Sequence, residues 1–495
     1  MLFRSGAVGE GKNIAHQQKK MPLEALKQFR DRFNIPISDA EIGDAPFYRP
    51  PPDSPEITYL QERRRALGGY LPARRRESET LVVPPLGVFE GMTKGTDGRE
   101  MSTTTAFVRM MTVLTRDKAI GSRVVPIVPD EARTFGMEGL FRQIGIYSPV
   151  GQLYAPQDAD QLAYYREDIK GQILEEGITE AGAFSSWLAA ATAYSNHALS
   201  MIPFFIFYSM FGFQRIADLI WAAGDSRARG FLLGGTAGRT TLAGEGLQHQ
   251  DGHSHILALT HPNCVAYDPC YAFELAVILH AGMRRMVEEQ EDVFYYISVM
   301  NENYAHPPLP EGVVDGIVKG LYRLRASGHG GPRVQLLGSG TILREVERAA
   351  GILEERYGVA ADVWSATSFT ELAREGMAVE RWNLLHPAEP PRTSYVDACL
   401  NGTDGPVVAA SDYMRAYAEQ IRPYVSRRYR VLGTDGYGRS DTREALRTFF
   451  EVTAEHVAFA ALKSLADEGA IPVERVAQAV TELGIDPEKP APWTV

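Results

Sequence analysis

The chain has 495 residues, 44% hydrophobic and 23% charged, which leaves room for two or three domains and a sizeable core. A net charge of −11 excludes a general nucleic-acid binder, which needs a basic face to displace counterions; a small molecule or another protein is the expected partner. Three cysteines, Cys264, Cys270 and Cys399, have no paired metal spacing and fit a reducing compartment, so the cytoplasm is the expected location.

The first residues carry no apolar signal core and soon meet Glu10 and Lys12, so no export signal is expected. The polar, glycine-bearing segment 9–20 includes His16 and Lys19, which on their own read as a flexible tail. Charge runs at 63–65 and 74–76 and the triplet Pro50-Pro51-Pro52 mark residues 1–79 as a linker or the tail of a domain.

From 80 to 309, β-like runs at 123–128, 202–208 and 293–300 alternate with helical patterns at 181–194, 214–223 and 272–288. This alternation predicts an α/β domain around a mostly parallel sheet. Asp130 and Glu131 follow the first run at a strand's carboxyl end, where open α/β sheets bind ligands; a capping or solvated pair is the alternative. Glu180 opens the first helical run, either complementing the helix dipole or presenting a carboxylate to a cofactor. The apolar run 201–213 falls short of the roughly 18–20 residues of a membrane span, so no membrane association is expected.

Residues 244–255, Gly-Glu-Gly-Leu-Gln-His-Gln-Asp-Gly-His-Ser-His, concentrate three of the eleven histidines with two acids and three glycines. Histidine titrates near neutral pH and glycine admits close backbone approach, so the stretch reads as an active-site loop. Metal binding by His249, His253 and His255, as in a metal-dependent hydrolase, and a structural role stay open as alternatives. After the hinge at Pro307-Pro308-Leu309-Pro310, a second α/β domain is predicted over 310–495, with a strand at 333–338, a helix at 342–357 and strands at 361–365 and 406–410. Its Gly338-Ser339-Gly340 lacks a full dinucleotide fingerprint or P-loop lysine, so a plain strand-to-helix turn is favoured over a nucleotide site.

Taken together, segments 9–20, 130–147, 208–215, 244–256, 301–304 and 433–440 resemble the homodimeric-type pyruvate dehydrogenases, the thiamine diphosphate-dependent first components of the pyruvate dehydrogenase complex. The resemblance implies a transketolase-like pyrimidine-binding domain followed by a smaller transketolase C-terminal-type domain. It implies that Glu180, in a Gly-Ile-x-Glu segment, hydrogen-bonds the ring nitrogen of the cofactor's aminopyrimidine. Phe211 would stack on that ring, and Asp130, Glu131 and Ile178 would line its pocket. Tyr208 and His249 would contact pyruvate and its adduct, and His16 would assist acetyl transfer to the lipoyl domain of the acyltransferase. Segment 150–166 resembles the family's other mobile loop.

The family's Gly-Asp-Gly and paired asparagines, which bind the diphosphate through magnesium, do not occur in this sequence. The expectation is therefore a C-terminal part of the enzyme, without magnesium ligands, that dimerises or pairs with a chain carrying the upstream domain. A truncated fragment acting at most as an interaction module is the alternative. So is a relative acting on 2-oxobutyrate, since one methylene alters pocket preference by only about 1–3 kcal/mol.

Overall fold

The computed structural model of the chain describes residues 9–13, 20–69, 75–129, 132–157 and 165–495. The chain divides into two compact units, residues 1–74 and 75–495. The first unit carries two helices, Leu23–Arg32 and Pro55–Ala66. Ser54 caps the second by accepting from the Ile57 N–H, with Pro55 at the first helical position, where its missing N–H costs nothing.

The second unit is built on two sheets. The strands of the first are β1 (Val124–Val128), β2 (Leu174–Glu175), β3 (Ile202–Tyr208), β4 (Phe231–Gly235), β5 (Cys264–Tyr267) and β6 (Phe294–Ser298). They form a six-stranded sheet in the order β2-β1-β3-β4-β6-β5, with every pairing parallel. Helices cover both faces of such a sheet, which is why β3, Ile-Pro-Phe-Phe-Ile-Phe-Tyr, is a continuous apolar run and not an alternating one. On one face the helix Glu180–Ala191 packs Phe184 and Trp187 against Phe205 and Phe294, and the Trp187 indole N–H donates to the Phe231 carbonyl at 3.1 Å. On the other, Phe204 and Phe231 stack at 4.7 Å beneath the helices Thr103–Leu114 and Ala272–Met283.

The second sheet comprises β7 (Tyr322–Arg325), β8 (Arg333–Gly338), β9 (Ala360–Ser365), β10 (Val407–Ala410) and β11 (Tyr429–Leu432). Its order is β7-β9-β8-β10-β11, parallel except for β7. Among the described residues no helix is long and apolar enough to cross a membrane.

Two local expectations need correction, and a third, the plain turn at 338–340, agrees with the structure. The helical pattern 272–288 is an α-helix only to Met283; residues Arg284–Glu288 form a π-helical turn, closed by the Glu289 N–H on the Arg284 carbonyl. The pattern 181–194 breaks at Thr192, whose φ of −107° separates the helices Glu180–Ala191 and Ala193–His197. The Gly338-Ser339-Gly340 turn is buried and filled from within: Ser339 Oγ donates to Asp268 at 2.8 Å, and a Cβ at Gly340 would lie 2.7 Å from the same carboxylate. A phosphate has no room there.

Candidate functional site

The site is assembled at the carboxyl ends of the parallel strands. Strand β3 ends in Tyr208, and the next turn, Ser209–Phe211, projects Phe211 before the helix Phe213–Asp225 begins. Beyond the intervening β1, β2 leads through Gly177, at a φ of +84° that favours glycine, into Thr179 and the helix Glu180–Ala191. Thr179 Oγ1 caps that helix by accepting from the Gly182 N–H at 3.1 Å, which leaves Glu180 in the first turn. Ile178 is 78% exposed next to it.

Glu180 and Phe211 are bridged by one side chain. The Arg215 guanidinium donates to the Glu180 carboxylate at 2.8 Å, and its central carbon lies 3.7 Å from the centroid of the Phe211 ring. A planar cation thus rests on an aromatic face while its N–H bonds a carboxylate.

Tyr208 and His249 stack at 4.9 Å with 15° between their planes, and Phe211 meets the His249 ring edge-on at 5.2 Å. Phe135 packs on Tyr208 from behind, at 5.6 Å. His249 sits on the short 3₁₀ turn Leu247–His249, with Glu245 3.5 Å from its Nδ1. The three histidines of the loop therefore do not converge on one centre. His253 meets the side chain of Gln214, and His255 is buried with its Nε2 3.0 Å from Ser298 Oγ. Burial drives the His255 imidazole pKa down to about 3, as expected for a neutral packed ring.

Asp251 is the buried hub of this region. It accepts from Ser209 Oγ and from the His253 and Ser254 N–H groups, both at 3.0 Å. Burial alone would raise its pKa; His253 and the hydrogen bonds outweigh that and hold it below the ordinary carboxylate value. Asp251 thereby ties the histidine loop to the turn that carries Phe211.

Of the residues singled out from the sequence, Tyr208, Phe211 and His249 form one cluster, and Glu180 joins it through Arg215. Ile178 flanks Glu180. Asp130, Glu131 and His16 lie outside the described residues, as does part of segment 150–166. Arg215, Phe135 and Asp251 were not singled out individually. An arginine on an amphipathic helix carries no distinguishing local signal, whereas Asp251 stands in a Gly-rich turn before a helix, where an aspartate accepts from the N–H groups two and three residues on.

Comparison with known proteins identifies the domains that carry these residues. Residues 84–307 match the pyruvate dehydrogenase E1 component middle domain, and residues 320–453 match the transketolase-like C-terminal domain. The chain is 62% identical over 489 residues to the pyruvate dehydrogenase E1 component of Pseudomonas aeruginosa, covering 98% of this chain and 55% of the relative. It is 58% identical over 493 residues to that of Escherichia coli K12, covering 99% and 55% respectively. The chain thus spans about half the length of the curated relatives it matches. Transketolase from Leishmania mexicana shares the fold, with a TM-score of 0.57 at 15% identity over 91% of this chain and 52% of that one. Transketolase from Campylobacter jejuni does so with a TM-score of 0.56 at 15% identity, over 89% and 59%. The fold is transketolase-like, and the chain carries the middle domain of the pyruvate dehydrogenase E1 component followed by a transketolase-like C-terminal domain.

Proposed function

We propose that this chain forms part of a 2-oxo acid dehydrogenase component that decarboxylates pyruvate on thiamine diphosphate. The observation that carries the proposal is the Glu180–Arg215–Phe211 arrangement beside the Tyr208–His249 stack. A guanidinium and a protonated aminopyrimidine are both planar groups that offer N–H to a carboxylate and a face to a ring, so Glu180 and Phe211 fit the pyrimidine end of the cofactor.

When bound, thiamine diphosphate supplies the electron sink for decarboxylation. Glu180 holds a proton at the pyrimidine ring nitrogen. Phe211 and Ile178 orient the ring and exclude water from its faces. Tyr208 and His249, their rings stacked at 4.9 Å beside Phe211, meet the substrate, where the phenol and imidazole hold its carboxylate and oxygen. Asp130 and Glu131 would line the cofactor pocket and His16 would assist the transfer step; all three lie outside the described residues.

In the overall reaction, the bond from carboxylate to keto carbon breaks and carbon dioxide leaves. The two-carbon unit is oxidised to an acetyl group, and the disulfide of a lipoyl group is reduced to one thiol and one acetyl thioester. The lipoyl domain of an acyltransferase is thus the macromolecular partner. Magnesium and the diphosphate would be held by a further domain, since the Gly-Asp-Gly and paired asparagines that bind them in the family do not occur in this sequence.

The test is pyruvate-dependent reduction of an artificial electron acceptor with thiamine diphosphate and magnesium, by the chain alone and with the upstream domain supplied. Activity that Glu180→Gln lowers by about 100-fold or more is expected, the scale of lost acid–base catalysis. A wild type inert under both conditions, or a Glu180→Gln variant as active as wild type, would refute the assignment.

A further inference from the structure

The segment 433–441 links β11 to the helix Arg443–Phe450 in the C-terminal domain; its first half bonds Tyr413 and Arg415, whereas its second half meets the histidine loop of the middle domain. The Arg439 N–H donates to Gln250 Oε1 at 2.6 Å, and Gln250 is 1% exposed. The Gly244 N–H donates to the Asp441 carbonyl at 3.1 Å, and from the connection between β10 and β11 the Met414 N–H donates to the Gly252 carbonyl at 2.8 Å. The Arg239 guanidinium fills the space where Gly252 would carry a Cβ, and donates to the Thr434 carbonyl at 2.5 Å and to the Gly436 carbonyl. At the centre, Gly438 lies so close to the 3₁₀ turn that a Cβ there would sit 2.5 Å from the Leu247 carbonyl oxygen and 3.0 Å from Gln250 Cβ.

We infer that the C-terminal domain positions His249: segment 433–441, through Gly438 and the Arg439–Gln250 bond, clamps the turn that presents the imidazole to Tyr208. Asp251 fixes the loop from the other side, to Ser209 and to the start of the helix Ser254–Leu259. Residues 244–250 thus rest on segment 433–441, whereas Asp251 fixes the loop to the turn after β3, and Gly252 and His255 meet other parts of the C-terminal domain, at Met414 and at Tyr413 and Tyr417. Gly438 and Gln250 are positioning residues; they act through His249, and this rests on the reading of His249 as a substrate contact.

Two measurements on the full chain separate the clamp from that reading. Hydrogen exchange of Gly438→Ala is expected to quicken about 10-fold or more at the amides of His249 and Gln250, which bond the Gly246 and Leu247 carbonyls, as local protection is lost. The helix Ser254–Leu259 is expected to keep its protection. Gln250→Met, which removes the acceptor for Arg439 while keeping the side chain's size, is expected to do the same and serves if Gly438→Ala does not fold. Unchanged exchange in a folded variant overturns the clamp.

In the acceptor assay with the upstream domain supplied, Gly438→Ala is expected to lower kcat about 10- to 100-fold, the scale of a misplaced group. The same substitution made in His249→Ala is expected to cost little more. Losses that multiply overturn action through His249. Faster exchange in the variant alongside an inert wild type supports the clamp and refutes the catalytic reading.

Discussion

At the scale of single residues, Arg215 decides how the Glu180–Phe211 pair meets a ligand. Its side chain is half exposed, and it lies on the Phe211 face, where the proposed function would seat a planar base. An exposed ion pair contributes about 0–1 kcal/mol and a cation–π contact about 0.5–1 kcal/mol, so vacating the place costs roughly 1–2 kcal/mol. Arg215→Met keeps the apolar stem but neither interaction. Thiamine diphosphate with magnesium is therefore expected to bind it about 5- to 30-fold more tightly than wild type, by calorimetric titration with the upstream domain supplied. Weaker binding would instead make Arg215 part of the binding wall. The proximity of Tyr208, Phe211 and His249 could be anticipated only through the resemblance, because the helix Phe213–Asp225 and strand β4 separate the turn from the loop. Arg215 escaped notice because what distinguishes it, a carboxylate across a helix–helix contact and a ring one turn before it, is created by tertiary packing.

At the scale of elements, the long apolar runs were legible and the joints between them were not. Strand β3 occupies the residues its apolar run marks, since a buried parallel strand must be apolar on both faces. The π-helical turn 284–288 gave no sign, because Arg-Arg-Met-Val-Glu continues a helical pattern as readily as it ends one. Nor does any pattern reveal Glu274, in the first turn of the helix Ala272–Met283. It is fully buried, accepts from the Cys270 and Tyr271 N–H groups at 2.6 and 2.9 Å, and from the Tyr322 and Ser365 hydroxyls of β7 and β9 at 2.7 and 2.5 Å. One carboxylate thus caps a helix of the first domain and docks the second sheet upon it. Glu274→Ala strands two buried N–H groups and two hydroxyls and is expected to cost about 3–5 kcal/mol in denaturant unfolding. Glu274→Gln is expected to cost much less, because the amide oxygen still serves the backbone while the hydroxyls turn to accept from its nitrogen. Equal losses would show that the site senses charge and not hydrogen-bond count.

At the scale of the whole molecule, the junction between the two sheet domains holds two buried groups whose titrations oppose each other. Asp268, after β5, accepts from Ser298 of β6 at 2.6 Å and from Ser339 after β8 at 2.8 Å. Burial pushes its pKa up to about 7, against the pull of those two hydroxyls. Ser298 spends its proton on Asp268, so it must accept from His255 Nε2–H; the buried Nδ1 is then bare and has no partner among the described residues. A second proton there would have nowhere to point, in keeping with a pKa of about 3.

The signs follow from linkage. Between about pH 4 and 7 the folded chain keeps a proton on Asp268 that the unfolded chain has lost, so this group's contribution falls as pH rises. Between about pH 3 and 6.5 the unfolded chain carries a proton on His255 that the folded chain refuses, so that contribution rises. Over pH 4–6.5 the two offset each other. Asp268→Asn removes the falling member and leaves the rising one, so the difference in unfolding free energy between variant and wild type should change by about 1.4 kcal/mol per pH unit, in the variant's favour as pH rises. Parallel denaturant titrations from pH 4 to 6.5 read that difference directly. A pH-independent offset would mean that Asp268 is ionised in the folded chain throughout this range, and that the junction tolerates a buried charge.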